Sequence, residues 1–328
     1  MRPPTKASAK CPMPQHGLEL LGGICYLAGM KRTLFAMLLA AAGIVQGATA
    51  SGLRYHLPAT GVLPSFAAFE MFSYLHERHG DGSLAMQKYS LTLPLSDPRR
   101  SGYEAWMFNA SFDTEISHMH AGGFDLRKRE LFDFALPLSL IRNYPSGNRL
   151  ILAAAPTIAS DFVKWDRALS MNGLAEYRIK ASENFSYAFG VAVTPRLVSW
   201  GALPVVSFEW KPSEDWNVKL GGARLTVMHT LPRGWSAGLF ASAVGGSWTV
   251  ATDDANTRLF RVRTVVAGCM AEWDFSRPDQ RKRVVNLAVG MPIITTAEYC
   301  RFNAHKKTLG KHHYGTGIYA SAAVDFRF

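Results

Sequence analysis

Six alternating positions at the end of the chain are apolar: Ile318, Ala320, Ala322, Val324, Phe326 and Phe328. The residues between them are Tyr319, Ser321, Ala323, Asp325 and Arg327. A period of two places the first set on one face of a β-strand and the second on the other. The chain therefore stops on a strand with an oily face and a mostly polar one, closed by an aromatic residue. Such a strand needs a partner for its amides and an apolar environment for one face.

The same period recurs upstream. From Leu84 the sequence divides into twelve predicted strands, at 84–96, 103–116, 130–142, 149–160, 167–181, 185–198, 202–211, 216–230, 235–250, 258–274, 283–299 and 315–328. In the second, Trp106, Phe108, Ala110 and Phe112 oppose Met107, Asn109, Ser111 and Asp113. In the third, Phe132, Phe134, Leu136, Leu138 and Leu140 share a face. The eighth slips phase near Gly221-Gly222, which predicts a β-bulge. Between strands stand turn formers such as Pro145-Ser146-Gly147-Asn148, Pro212-Ser213-Glu214-Asp215 and Pro232-Arg233-Gly234. Short strands with this punctuation predict a meander, in which sequence neighbours pair.

No segment after Ala50 reads as a spanning helix, which needs about 20 predominantly apolar residues. Gly234 to Thr252 is uncharged over 19 residues, but holds four glycines and five Ser/Thr. Most predicted strands reach the about 9–11 residues that a tilted membrane strand requires. A sheet in hydrocarbon has to close on itself, because unpaired amides cannot face lipid. The predicted fold is thus all-β, a transmembrane antiparallel up-and-down β-barrel of about twelve strands over 83–328. The tryptophans Trp106, Trp200, Trp210, Trp216, Trp235, Trp248 and Trp273 fall near strand ends, as two aromatic girdles would.

The chain carries an export signal that begins at Met30. Lys31-Arg32 gives a basic start, Thr33 to Val45 an apolar stretch, and Ala48-Thr49-Ala50 the small residues before cleavage. Residues 30–50 read as signal peptide and 1–29 as an upstream extension from a misplaced start. Leu21-Gly22-Gly23-Ile24-Cys25 resembles a lipobox, but Ile precedes its cysteine. Ser51 to Gly82 reads as a periplasmic or plug segment, or as an extra strand pair. After residue 50 there remain 31 Lys/Arg against 24 Asp/Glu. An exported basic protein does not meet nucleic acid; its positive charge suits anionic lipopolysaccharide or a pore lining. Cys269 and Cys300 fit neither a zinc nor a redox motif. The strand map puts them at opposite ends of a hairpin and predicts free thiols.

The final aromatic strand resembles the closing strand of bacterial outer-membrane β-barrels. In that family the terminal aromatic, here Phe328, belongs to the signal read by the barrel-assembly machinery. The stretch Phe208-Glu209-Trp210-Lys211-Pro212-Ser213-Glu214-Asp215-Trp216-Asn217-Val218-Lys219-Leu220 is similar to the strand–turn–strand of an uncharacterised outer-membrane barrel family, a domain of unknown function. Gly245-Gly246-Ser247-Trp248 fits the same resemblance. It implies a porin-like fold, Gram-negative outer-membrane localisation, and no assigned activity. A periplasmic C-terminus would make 303–314 an extracellular loop.

Residues opposite the oily face predict the lumen: Lys88, Asn109, Asp113, Asn172, Glu176, Arg178, Lys180, Glu209, Lys219, Arg261, Arg263, Glu272, Asp325 and Arg327. Their mixed signs suit either a charged pore or a core of paired ions. His305, His312 and His313 lie among Lys306, Lys307 and Lys311, which predicts a solvated basic loop rather than a metal site. No Gly-x-Ser-x-Gly elbow, phosphate loop or dinucleotide fingerprint occurs. The sequence predicts no cofactor, no metal and no chemistry of its own. Its preferred function is a passive small-solute channel or a structural barrel. A lipid-acting outer-membrane enzyme and an exported soluble β-sandwich are the alternatives.

Overall fold

An antiparallel sheet leaves amides bare at its two edges unless it closes, and this sheet closes. The computed structural model describes residues 67–76, 82–95, 106–163, 165, 167–194, 202–252, 257–276, 283–301, 308–315 and 317–326. Its strands begin with β1 (Ala67–His76), β2 (Ser83–Pro94), β3 (Met107–Ala121), β4 (Glu130–Ala135), β5 (Leu138–Asn143) and β6 (Arg149–Ser160). Next come β7 (Leu169–Lys180), β8 (Phe185–Val193), β9 (Ala202–Trp210), β10 (Trp216–Gly221) and β11 (Arg224–Thr230). The last are β12 (Trp235–Ala251), β13 (Thr257–Asp274), β14 (Arg283–Cys300), β15 (Thr308–Tyr314) and β16 (Ile318–Phe326).

Two of these pairs are single staves interrupted once. β3 pairs with β4 through Asp113↔Ala135 and with β5 through Ala110↔Leu138. The break falls at Pro137, which has no amide hydrogen to give. β15 and β16 likewise run end to end along β14. The ring thus has fourteen staves, each antiparallel to the next, and β1 closes it against β16 from Ala67↔Val324 to Ser73↔Ile318.

Two staves exceed the expected twelve, and each has a local cause. Within 51–82, residues 67–76 form β1. The expected bulge at Gly221-Gly222 is instead a hairpin turn, where β10 and β11 meet through Gly221↔Arg224. Gly222 takes φ 59°, the left-handed conformation that a two-residue type II′ turn places first. A third correction concerns 303–314. Residues 302–307 lie outside the described residues, but Thr308–Tyr314 is strand β15 rather than loop. The upper amides of the long β14 take it as their partner.

Along each stave, inward and outward positions alternate. Outward residues include Phe185, Tyr187, Phe189, Val191 and Val193 of β8, and Val285, Leu287, Val289 and Met291 of β14. One end of the barrel holds the start of β1, the end of β16 and the short turns 144–148, 181–184 and 211–215. At this terminal end Trp106, Trp210, Trp216, Trp235 and Trp273 are all exposed, and Trp235 stacks on Trp273 at 5.6 Å. Above them, to the level of Ile116, Val193 and Ile294, no described outward position is Asp, Glu, Lys or Arg. The expected pair of girdles is a single one among the described residues. Trp200 lies outside them, and Trp248 points inward with 0% exposure.

The far end is narrower than the terminal end. β10 and β11 are short, and β12 has β11 beside it only up to Arg224↔Ser242. Beyond that, β12 leans across the ring and pairs parallel with β6 at Thr249↔Ser160, just past the point where β7 leaves β6 at Ile158↔Leu169. The upper storey therefore has nine staves: β12, β13, β14, β15–β16, β1, β2, β3, β4–β5 and β6. Gly245, at φ 143°, marks the bend; a Cβ there would sit 2.1 Å from the Val262 carbonyl oxygen. Asp161 ties the junction: its Oδ2 accepts from the Ala251 amide at 2.8 Å, and its own amide donates to the Thr249 carbonyl at 3.1 Å.

Candidate functional site

The interior is the candidate site, and its chemistry changes with height. In the upper storey it is apolar. Leu84, Met86, Met119, Leu131, Trp248 and Phe260 are buried together there, with Val262 and Tyr299. Gly246 leaves room for the Trp248 indole; a Cβ would meet its Cη2 at 2.2 Å. The loop 122–129 folds over this core. The Phe124 ring packs edge-on against Phe260 at 5.2 Å, Tyr299 at 4.9 Å and His312 at 4.7 Å. The Tyr314 hydroxyl donates to the Gly122 carbonyl at 2.8 Å, and the Tyr299 hydroxyl to the Asp125 carbonyl at 2.9 Å. His312 is thus half-buried beneath a lid, not part of the solvated basic loop expected.

Under the core lies one buried ion pair. Lys88 of β2, only 1% exposed, places Nζ 2.8 Å from Glu115 of β3 and donates to the Gly245 carbonyl at 2.7 Å. The same ammonium stands 5.9 Å from the Trp248 ring, within cation–π range. A charge this deep is tolerable only with such partners. Lys88 therefore braces the β2–β3 wall against the bend of β12 on the other side.

Toward the terminal end the inward positions turn polar. Glu176 accepts from Ser207 at 3.3 Å and lies 3.4 Å from Arg178. Glu209 accepts from Asn217 at 3.4 Å, and Asp325 accepts from Asn286 at 2.6 Å. Ser111 donates to Asp113 at 3.3 Å, and Asn172 donates to Thr157 at 3.1 Å. Lys219 and Glu272 also face inward, half-buried, and Lys180 is exposed at the rim. Asn109 is buried on the same inward face of β3. Arg261 and Arg263 do not join this set. They alternate with Phe260 and Val262 on β13 and point to the opposite, outward face. Arg327 and Phe328 lie outside the described residues.

Several site residues escape sequence reasoning. Glu115 lies within the predicted strand 103–116 and continues the inward row of Asn109 and Asp113, so following the alternation one step further finds it. Glu298 is hidden by a bulge at Ile293, where Val265 pairs with Ile294 but Val266 with Pro292. Past that point the inward parity of β14 changes from even to odd. Cys269 is exposed and Cys300 buried, both free thiols; Cys300 ends the β13–β14 ladder opposite Leu259, but Cys269 lies within β13 opposite Val289 rather than at the hairpin's other end. Among the described residues no cluster of His, Cys, Asp and Glu could hold a metal ion.

The sequence matches a protein family over residues 74–327, which spans the ring from the end of β1 to the end of β16. The chain belongs to DUF6268, a domain of unknown function. No curated protein gives a significant match. Two solved structures are similar to this DUF6268 chain. OccK5 (OpdH) of Pseudomonas aeruginosa shares 10% identity over 80% of this chain and 98% of its own, with a TM-score of 0.27. The β-domain of the Bordetella autotransporter BrkA shares 10% identity over 80% of this chain and 99% of its own, with a TM-score of 0.18. In this DUF6268 chain the barrel is defined by its own register: among the described residues every stave is paired on both sides.

Proposed function

We propose that this DUF6268 protein is a bacterial outer-membrane β-barrel that is stoppered at rest and serves a structural role rather than acting as an open pore. The observation that carries the membrane reading is the outward wall, which among the described residues is apolar and uncharged from the ring of exposed tryptophans up to the level of Ile116, Val193 and Ile294. The nine residues of β8, at ~3.3 Å each and a tilt of ~40°, climb about 23 Å, close to the ~25 Å apolar band of such barrels. A soluble β-sandwich has no use for such a wall. Export through residues 30–50, recognition of Phe328 by the assembly machinery, and contact with lipopolysaccharide complete the proposal.

The stoppered state is supported by the apolar upper storey, its lid at Phe124 and the brace at Lys88. Reconstituted in planar bilayers, the wild-type protein should give no sustained stepwise conductance. Regular steps from a monodisperse sample would restore the channel reading. Release of fatty acid from phospholipid would favour the enzyme alternative instead.

Membrane insertion has its own test. Cys269 points outward amid Ala267 and Ala271, level with the apolar band. In lipid vesicles it should resist a membrane-impermeant maleimide, yet react once the barrel is dissolved in denaturant. Rapid labelling of Cys269 in intact vesicles would contradict a lipid-facing position.

A further inference from the structure

On the outward face of the upper storey, just above the apolar band, two arginines of β13 converge on one carboxylate of β14. Arg261 Nη1 and Arg263 Nη2 each lie 3.1 Å from Glu298 Oε1. Two guanidiniums thus meet at a single carboxylate oxygen. Arg261 is 3% exposed, and its Nε and Nη2 are buried without a hydrogen-bond partner. Those two atoms form the side edge of the guanidinium, whose parallel N–H bonds fit two oxygens of one oxyanion. Ser247 is the register partner of Arg261 on β12, and its Oγ is likewise buried and unpartnered. Native proteins pair nearly all such groups, so three such donors together point to an acceptor-rich ligand.

We propose that Arg261, Arg263 and Ser247 form a binding site for the phosphate of an envelope-lipid headgroup. The proposal rests on the outer-membrane reading above. A phosphate supplies enough oxygens to take the Arg261 edge and the Ser247 hydroxyl together. The Arg263 side chain, 25% exposed, opens the cluster to the surface. Height selects the source. The outward row of β13 runs Cys269, Ala267, Val265 and then Arg263, and that of β14 runs Met291, Ile294, Thr296 and Glu298. The cluster thus begins where a hydrocarbon layer ends and headgroups begin.

The test titrates folded full-length protein, in a zwitterionic detergent, with lipopolysaccharide, with enzymatically dephosphorylated lipopolysaccharide, and with inorganic phosphate. Phosphorylated lipopolysaccharide should bind about tenfold more tightly than the dephosphorylated form. Arg261→Lys keeps the charge facing Glu298 but lacks the fork, so it should weaken binding about tenfold. Ser247→Ala should weaken it less, and it carries the test if Arg261→Lys fails to give the heat-resistant folded band on gels. Inorganic phosphate binding with the same dependence on both variants, and no preference for the lipid, would support the oxyanion site with free phosphate as its ligand. Equal binding by wild type and both variants, or no binding of any probe, overturns the proposal. Should the membrane reading fail, Cys269 would label in vesicles while phosphate binding persisted, so the two failures are separable.

Discussion

Replacing Glu115 by alanine is expected to cost about 3–5 kcal/mol of barrel stability, because it strips the paired carboxylate from a buried ammonium. Lys88 and Glu115 side chains are 1% and 7% exposed and 2.8 Å apart, so solvent screens them little. In Glu115→Ala the ammonium keeps the Gly245 carbonyl, 2.7 Å away, but no opposite charge from Glu115. The pair is costly to break and of modest value as a pair. Lys88→Met combined with Glu115→Gln should therefore recover most of the loss, while either single change should not. Urea unfolding in lipid vesicles, followed by tryptophan emission, measures all five proteins: wild type, Glu115→Ala, Lys88→Met, Glu115→Gln and the double variant. Additive losses in the double variant would show that the two residues do not act as a unit. The single variant should also let water reach the bend of β12, seen as intermittent conductance that wild type lacks.

Trp248→Ala should be comparably severe, about 3–5 kcal/mol, through the cavity it leaves. The indole is fully buried, stacks on Phe260 with centroids 6.5 Å apart, and stands beside the Lys88 ammonium. The void would open next to a buried charge, so it should fill with water rather than stay dry. Loss of stability with appearance of ion conductance is the expected pair of results; Trp248→Phe should show a smaller version of the first and none of the second. Full stability in Trp248→Ala would mean that this core does not hold the upper storey together.

These two residues also mark what the sequence could and could not convey. Period-two alternation identified the outward rows of β3, β4–β5 and β16, because each stave has one face in a uniform apolar environment. It also put Lys88 and Glu176 on the inner side. It could not place Trp248, since a tryptophan near a strand end suits a girdle equally well until the lean of β12 toward β6 is known. Nor could it separate β10 from β11, because one glycine at positive φ turns the chain there with no other punctuation. The aromatic residues of 66–74 do not alternate, so β1 was open between plug and strand. Glu298 was missed for a similar reason: one extra residue at Ile293 reverses the parity of everything after it.

The shortness of β10 and β11 has a bearing on calibre. Diameter rises with the number of strands in a ring, and here the throat is set by how far five staves climb rather than by how many the gene encodes. A longer hairpin at Gly222 would hold β12 upright, away from β6, and turn a corked vessel into a tube of full bore. Permeability in this family could thus be tuned by adding or trimming residues at one turn, with no change to any side chain that fills the neck.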